Sequence, residues 1–248
     1  MERDSMMWQT ISESLAFCGN SLLSPMSMTG DAGLSPDFWT AFPTFDDRRV
    51  ADAVEACCAY AVLQQDGRDD AIAANSDAVR AVSVEFARLF VGPPRPAAAP
   101  WESMYNEDGV RSNVGFGRAT IEMKRLLAHD GLAVSNENNQ YADHMGIELL
   151  YASVLCERIG KAMGELSAIQ EGGELSALPE TAEECDSEPV CDIALRLDNF
   201  IGDHPLGWIA YLRKSAQEAA PDGYYVGILA LAEALLELTA DFARAIEC

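Results

Sequence analysis

Positive charge is scarce in this chain. Seventeen lysines and arginines face 40 aspartates and glutamates, giving a formal net charge of −23 over 248 residues. A surface this acidic repels phosphate backbones and anionic headgroups, which excludes sequence-independent nucleic-acid binding and electrostatic attachment to membranes. A cationic partner is the natural counterpart. Long apolar runs are missing as well: the most apolar stretch, Tyr224 to Phe242, is broken by Glu233, Glu237 and Asp241. It reads as an amphipathic core helix and not as a membrane span, so no stable membrane insertion is expected. Alternation of apolar and polar residues at period two is also rare, and an all-α fold is expected.

Several chemical signatures are absent. The seven cysteines, Cys18, Cys57, Cys58, Cys156, Cys185, Cys191 and Cys248, contain no Cys-x-x-Cys pair, and Cys185 and Cys191 have no histidine near them in sequence. Reduced thiols in a cytoplasm are expected, without a zinc site. The segment Gly115–Thr120 lacks the phosphate-cradling Gly-x-x-x-x-Gly-Lys-Ser/Thr pattern, there is no Gly-x-Ser-x-Gly, and Ser103 has no sequence-level base. No catalytic residue, cofactor or metal is therefore assigned. The opening Met-Glu-Arg-Asp-Ser-Met-Met-Trp has early acids and no apolar core before a small-residue cleavage site. It does not read as a secretory signal, and a cytoplasmic location is expected.

What is present is helical periodicity. The pattern predicts a single-domain helical bundle with an N-terminal helical part (1–163), an acidic linker (164–192) and C-terminal helices (193–248). Helices are expected near Met6–Cys18, Pro36–Phe42, Asp46–Gln65 and Ala71–Phe90, the last two forming a hairpin across Asp66–Asp70. Ser112 or Asn113 opens another that ends near His129–Gly131, and Asn136–Asn139 caps one from about Gln140 to Met163. That helix has apolar residues on every side and is expected to be the hub of the fold. Three more come after it: Val190 to about Ile201, Pro205 to about Ala219 and Asp222–Ile246. The linker, Gly/Pro/Glu-rich, could serve as a hinge for a homodimer formed by domain exchange.

Three clusters carry the functional reading. Phe86 to Tyr105 ends a helix at Gly92 and then spends Pro93, Pro94, Pro96 and Pro100 on a stiff loop that presents Trp101. Asp143 and His144 stand near a helix start, with Glu148 one turn beyond His144. His204-Pro205-Leu206-Gly207-Trp208 opens another helix with Pro at its first position. Read for enzymology, His144, Glu148 and His204 form the alternative of a metal- or nucleotide-dependent hydrolase, on weaker spacing than His-Glu-x-x-His.

In order and spacing, Leu89-Phe90-Val91-Gly92-Pro93, Pro100-Trp101-Glu102-Ser103-Met104-Tyr105, Ala142-Asp143-His144-Met145-Gly146-Ile147-Glu148-Leu149 and His204 with Trp208 resemble the TorD/DmsD family of cytoplasmic redox-enzyme maturation chaperones. The resemblance covers roughly residues 45 to 245. It implies an all-helical, non-enzymatic chaperone whose partners are the twin-arginine leader and the body of a molybdenum oxidoreductase catalytic subunit, held from export until its cofactor is in place. It places peptide binding at Phe86, Leu89, Phe90, Pro100, Trp101, Asp143 and His144, with Glu102, Ser103, Tyr105, Glu148, His204 and Trp208 as additional contacts. Phe86 stands where the family usually has Trp or Tyr, and His204-Pro205 departs from its His-Leu-x-x-Trp pattern. On this reading Asp143 supplies charge for an arginine, at about 1.5–3 kcal/mol per well-placed contact, and Phe86, Leu89, Phe90 and Trp101 supply apolar area. Trp101 is then partly exposed and faces Asp143 and His144.

Overall fold

The computed structural model describes residues 2–65, 71–92, 94–105, 117–134, 140–171 and 188–246. Among them there is no strand. The helices are α1 Glu2–Leu23, α2 Met26–Thr29, α3 Pro36–Ala41, α4 Arg48–Gln65, α5 Ala71–Phe86, α6 Arg118–His129, α7 Met145–Glu171, α8 Val190–Asp203, α9 Pro205–Ala219 and α10 Tyr224–Arg244. The fold is all-α, as the periodicity implies.

Leucine and alanine make α10 both a strong helix former and apolar on most of its circumference. It buries Tyr225, Ile228, Leu229, Ala232, Leu235, Leu236 and Ala243 and touches α1, α4, α5, α8 and α9. The hub is therefore α10, where the sequence pattern pointed to α7. The α7 helix packs mainly along α1 and also meets α8 and α9. The C-terminus of α5 is tied to α10 by Glu85, whose carboxylate accepts the Tyr224 and Tyr225 backbone N–H groups at 3.2 and 3.0 Å. That satisfies two donors otherwise orphaned at a helix start.

Small residues let α1 and α7 run close together in antiparallel register. Ser5 Oγ donates to the Gly160 carbonyl at 2.6 Å, Ser12 Oγ to the Ser153 carbonyl at 2.8 Å, and Gly19 lies against Gly146. A Cβ on Gly146 would sit 2.7 Å from the Gly19 carbonyl oxygen and 2.7 Å from Leu23 Cγ, so no larger residue fits without spreading the pair. This contact fixes where α7 begins.

Several boundaries differ from the sequence reading. The helix α7 starts at Met145, not near Gln140, because the preceding residues pair with the proline loop. It also continues to Glu171, so residues 164–171 of the expected linker are helical, and Gly164 lies against Ser5. Residues 172–187, the expected α6 start at Ser112 or Asn113, the Asn136–Asn139 cap and the Asp66–Asp70 turn lie outside the described residues. Cys191 is disulfide-bonded, correcting the expectation of reduced thiols throughout, while Cys18, Cys57, Cys58 and Cys156 are free. No helix of the described residues is long and apolar enough to cross a membrane.

Candidate functional site

The site begins where α5 changes pitch. Over Ala87–Val91 the chain makes a π-turn, closed by the Gly92 N–H donating to the Ala87 carbonyl at 2.8 Å. The wider turn accommodates one more residue than an α-turn and rotates the chain beyond it. Gly92 then adopts φ +88°, and a Cβ there would lie 2.5 Å from the Arg95 carbonyl carbon. The loop folds back on the turn through Ala97 N–H to the Arg88 carbonyl and Ala98 N–H to the Leu89 carbonyl. Phe86, Leu89 and Phe90 are buried, and both phenylalanines meet Tyr225 of α10 edge-on, at 5.7 and 5.2 Å. They support the loop from below and do not line an open groove.

The segment Pro100–Tyr105 is clasped to the entrance of α7. The Met145 N–H donates to the Pro100 carbonyl and the Glu102 N–H to the Asp143 carbonyl, both at 2.9 Å, and the two bonds frame an antiparallel bridge between Trp101 and His144. Pro100 is buried beside it. Trp101 is half-buried and stands edge-on to His144 (centroids 5.9 Å, planes at 82°) and to Tyr141 (6.4 Å, 69°), and Tyr141 is 45% exposed. Asp143 is 0% exposed: its carboxylate accepts Thr120 Oγ1–H at 2.8 Å and the Ser103 backbone N–H at 2.9 Å. In this arrangement both oxygens that were expected to meet a ligand's arginine are turned to the protein's own donors, and they tie the Pro-Trp loop to α6.

His144 is equally enclosed. Its Nδ1 accepts the Gly146 N–H at 3.0 Å, which leaves Nε2 to carry the proton of the neutral ring. Burial pushes its pKa down to about 3. The expected one-turn pairing of His144 with Glu148 does not form, because His144 precedes the helix. Glu148 instead accepts the Trp208 indole N–H at 3.0 Å from α9. Glu148 is 0% exposed, and burial, the neighbouring Glu102 carboxylate and Asp143 push its pKa well up.

A second contact joins the loop to the C-terminal helices. His204 Nδ1 lies 2.9 Å from Glu102 Oε2, Phe200 stacks on the imidazole at 5.4 Å, and Tyr105 lies against Trp208 at 5.4 Å. Burial opposes charge on His204, but Glu102, with Glu122 and Asp203, outweighs it and raises the pKa. A cleft of about 400 Å³ between α6 and α8, lined by His129, Asp203 and His204 among others, opens beside this pair. Among the described residues, Trp101 Nε1, Ser103 Oγ and Glu148 Oε1 are buried without a hydrogen-bond partner.

The structure thus gathers Pro100, Trp101, Glu102, Ser103, Tyr105, Asp143, His144, Glu148, His204 and Trp208 at one junction. The hydrolase alternative fails geometrically: His144 Nδ1 is spent on Gly146, Glu148 and His204 are engaged by Trp208 and Glu102, and no three His, Cys, Asp or Glu of the described residues converge to hold a metal. Two participants escaped the sequence reading. Tyr141 was legible only as an aromatic three residues before His144, and Thr120 carries no local signal.

A profile of the nitrate reductase delta subunit family matches residues 47–213. Among curated proteins, the chain is 28% identical over 167 residues to Chaperone protein TorD of Photobacterium profundum, covering 67% of this chain and 65% of that protein. It is 23% identical over 162 residues to Chaperone protein TorD of Vibrio cholerae, covering 65% and 61%. A third, Chaperone protein TorD of Escherichia coli, is 31% identical over 101 residues, covering 41% and 45%. The match thus spans less than two thirds of the relatives' own length. No solved structure matches.

Proposed function

Because this chain belongs to the nitrate reductase delta subunit family, we propose that it is a cytoplasmic, non-catalytic chaperone. On this reading it binds the twin-arginine signal peptide and the apo form of a molybdopterin-dependent oxidoreductase and assists cofactor insertion before export. The observation that carries the reading is the Trp101–Tyr141 pair, a half-buried indole edge-on to an exposed tyrosine, on a backbone that prolines and the His144 bridge hold in place. A surface ordered in advance loses little entropy when a peptide docks. The apolar run of the leader packs on these rings, while the net charge of −23 draws in its cationic end over long range. Phe86, Leu89, Phe90, Asp143 and His144 act from beneath, by fixing the loop.

Titration with a synthetic twin-arginine leader tests this. Saturable binding is expected with Kd on the order of micromolar. Trp101→Ala and Tyr141→Ala should each weaken it about tenfold or more, and Leu63→Ala, on the exposed face of α4, should leave it unchanged. Absence of saturation, or wild-type affinity in both aromatic variants, would sink the reading.

A further inference from the structure

The residue after Trp101 is held at both its backbone and its side chain. The Glu102 N–H donates to the Asp143 carbonyl at 2.9 Å, and Glu102 Oε2 meets His204 Nδ1 at 2.9 Å. Trp101 has fewer ties: among the described residues its indole nitrogen has no hydrogen-bond partner, so its ring is held by contact alone. The 3₁₀ turn that follows is closed by the Met104 N–H on the Trp101 carbonyl at 3.0 Å and the Tyr105 N–H on the Glu102 carbonyl at 2.9 Å. The pose of Trp101 therefore follows that of Glu102. His204 is the fixed end of the pair, at the corner where α8 gives way to α9. Its N–H donates to the Phe200 carbonyl, its own carbonyl accepts the Gly207 N–H, both at 3.0 Å, and Phe200 stacks on its ring.

We propose that the Glu102–His204 pair seats Trp101 for peptide binding: both are positioning residues for the Trp101–Tyr141 surface, and a leader is held more tightly while His204 carries charge. With Nδ1 as donor, the imidazole gives Glu102 a hydrogen bond in either protonation state. Charge on the ring makes that bond about twice as strong. The ionisable groups around the pair are Glu122 and His129 of α6, Asp192, Arg196 and Asp203 of α8, and Glu148 of α7, which neighbours Glu102 and holds the Trp208 indole N–H. Arg196 is already matched by Asp130 and Glu188. Burial opposes charge on His204, but Glu102, Glu122 and Asp203 outweigh it and sustain the imidazolium. The pair is thus at full strength below the raised His204 value and weakens as pH climbs through it. The peptide arm of this inference rests on the proposed function; the tie from His204 to Trp101 does not.

Two NMR signals of the full chain read the tie: the His204 ring, assigned by its loss in His204→Gln, and the Trp101 indole N–H, assigned by its loss in Trp101→Phe. In wild type the two should titrate with one midpoint, on the alkaline side of the ordinary histidine value. Glu102→Gln should move the His204 midpoint down. Affinity for a synthetic twin-arginine leader, whose arginines stay charged throughout, should fall about three- to fivefold from one pH unit below the wild-type midpoint to one above. It should be flat with pH in His204→Gln and keep the wild-type profile in His129→Gln. Below the midpoint, His204→Gln, Glu102→Gln and the double variant should bind leader equally, since each breaks the same pair. A His204 midpoint unmoved in Glu102→Gln, a Trp101 signal indifferent to the His204 titration, or additive losses in the double variant overturns the positioning role. Leader affinity that stays constant while both signals titrate overturns its bearing on binding. No leader binding by any variant at any pH removes the proposed function, and the two signals still decide the tie.

Discussion

His144 shows how one buried ring sets a pH response. The unfolded chain protonates it below its ordinary value of 6.5, whereas the folded protein resists until about 3. Its contribution is therefore complete above pH 6.5 and is lost as pH falls toward 3, at up to about 1.4 kcal/mol per unit. Glu148 and His204 act in the opposite sense. Both have raised folded values, so their stabilisation is present at low pH and fades as pH climbs through those values. Urea denaturation of wild type should then give a stability maximum between the two slopes. His144→Asn, which keeps an acceptor for the Gly146 N–H, should flatten the acid limb alone, and Glu148→Gln the alkaline limb alone.

Between elements, the tightest constraint is the meeting of Gly19 and Gly146. Gly146→Ala pushes a methyl group into a carbonyl oxygen and Leu23 and should cost about 1–3 kcal/mol by overpacking. Gly202→Ala, in α8 with nothing within 4 Å of its Cβ, should be neutral or stabilising by up to about 1 kcal/mol. Thermal melts of the two variants distinguish packing from helix propensity. Elements are also where the sequence was most and least legible. The Pro at the start of α9 and the period of α4 and α10 place those helices within two or three residues, because caps and apolar stripes are local. The π-turn at Ala87–Val91 breaks the period itself, so Leu89 and Phe90 read as a continuing helix face. Asp130 was invisible: it is held by Tyr151 and Arg158 of α7 and Arg196 of α8, and no spacing in the chain encodes a partner on another helix. For the same reason Asp143 read as a free charge, since its partners Thr120 and Ser103 lie 23 and 40 residues away.

For the molecule as a whole, the surplus of acid is the dominant long-range property. Arg48 and Arg49, an internal pair at the start of α4, are absorbed by it: Arg48 pairs with Asp52, and Arg49 with Asp47, Glu237 and Asp241. A cationic leader should associate faster than a neutral peptide of the same apolar sequence, and the advantage should shrink as salt shortens the screening length from about 10 Å at 0.1 M to about 3 Å at 1 M. Stopped-flow association rates across that range check it; a salt-independent ratio would assign recognition to the aromatic surface alone.

The bonds that seat the Pro-Trp loop link residues 40, 60 and 102 positions apart: Ser103 with Asp143, Glu148 with Trp208, and Glu102 with His204. A nascent chain leaves the ribosome N-terminus first, at about 5–20 residues per second. The loop is thus made early and finds its last support only when α9 has emerged. If Trp101 binds a leader as proposed, its surface is complete only once α9 has been made, and a ribosome-bound fragment that stops before Trp208 should carry Trp101 without being able to use it.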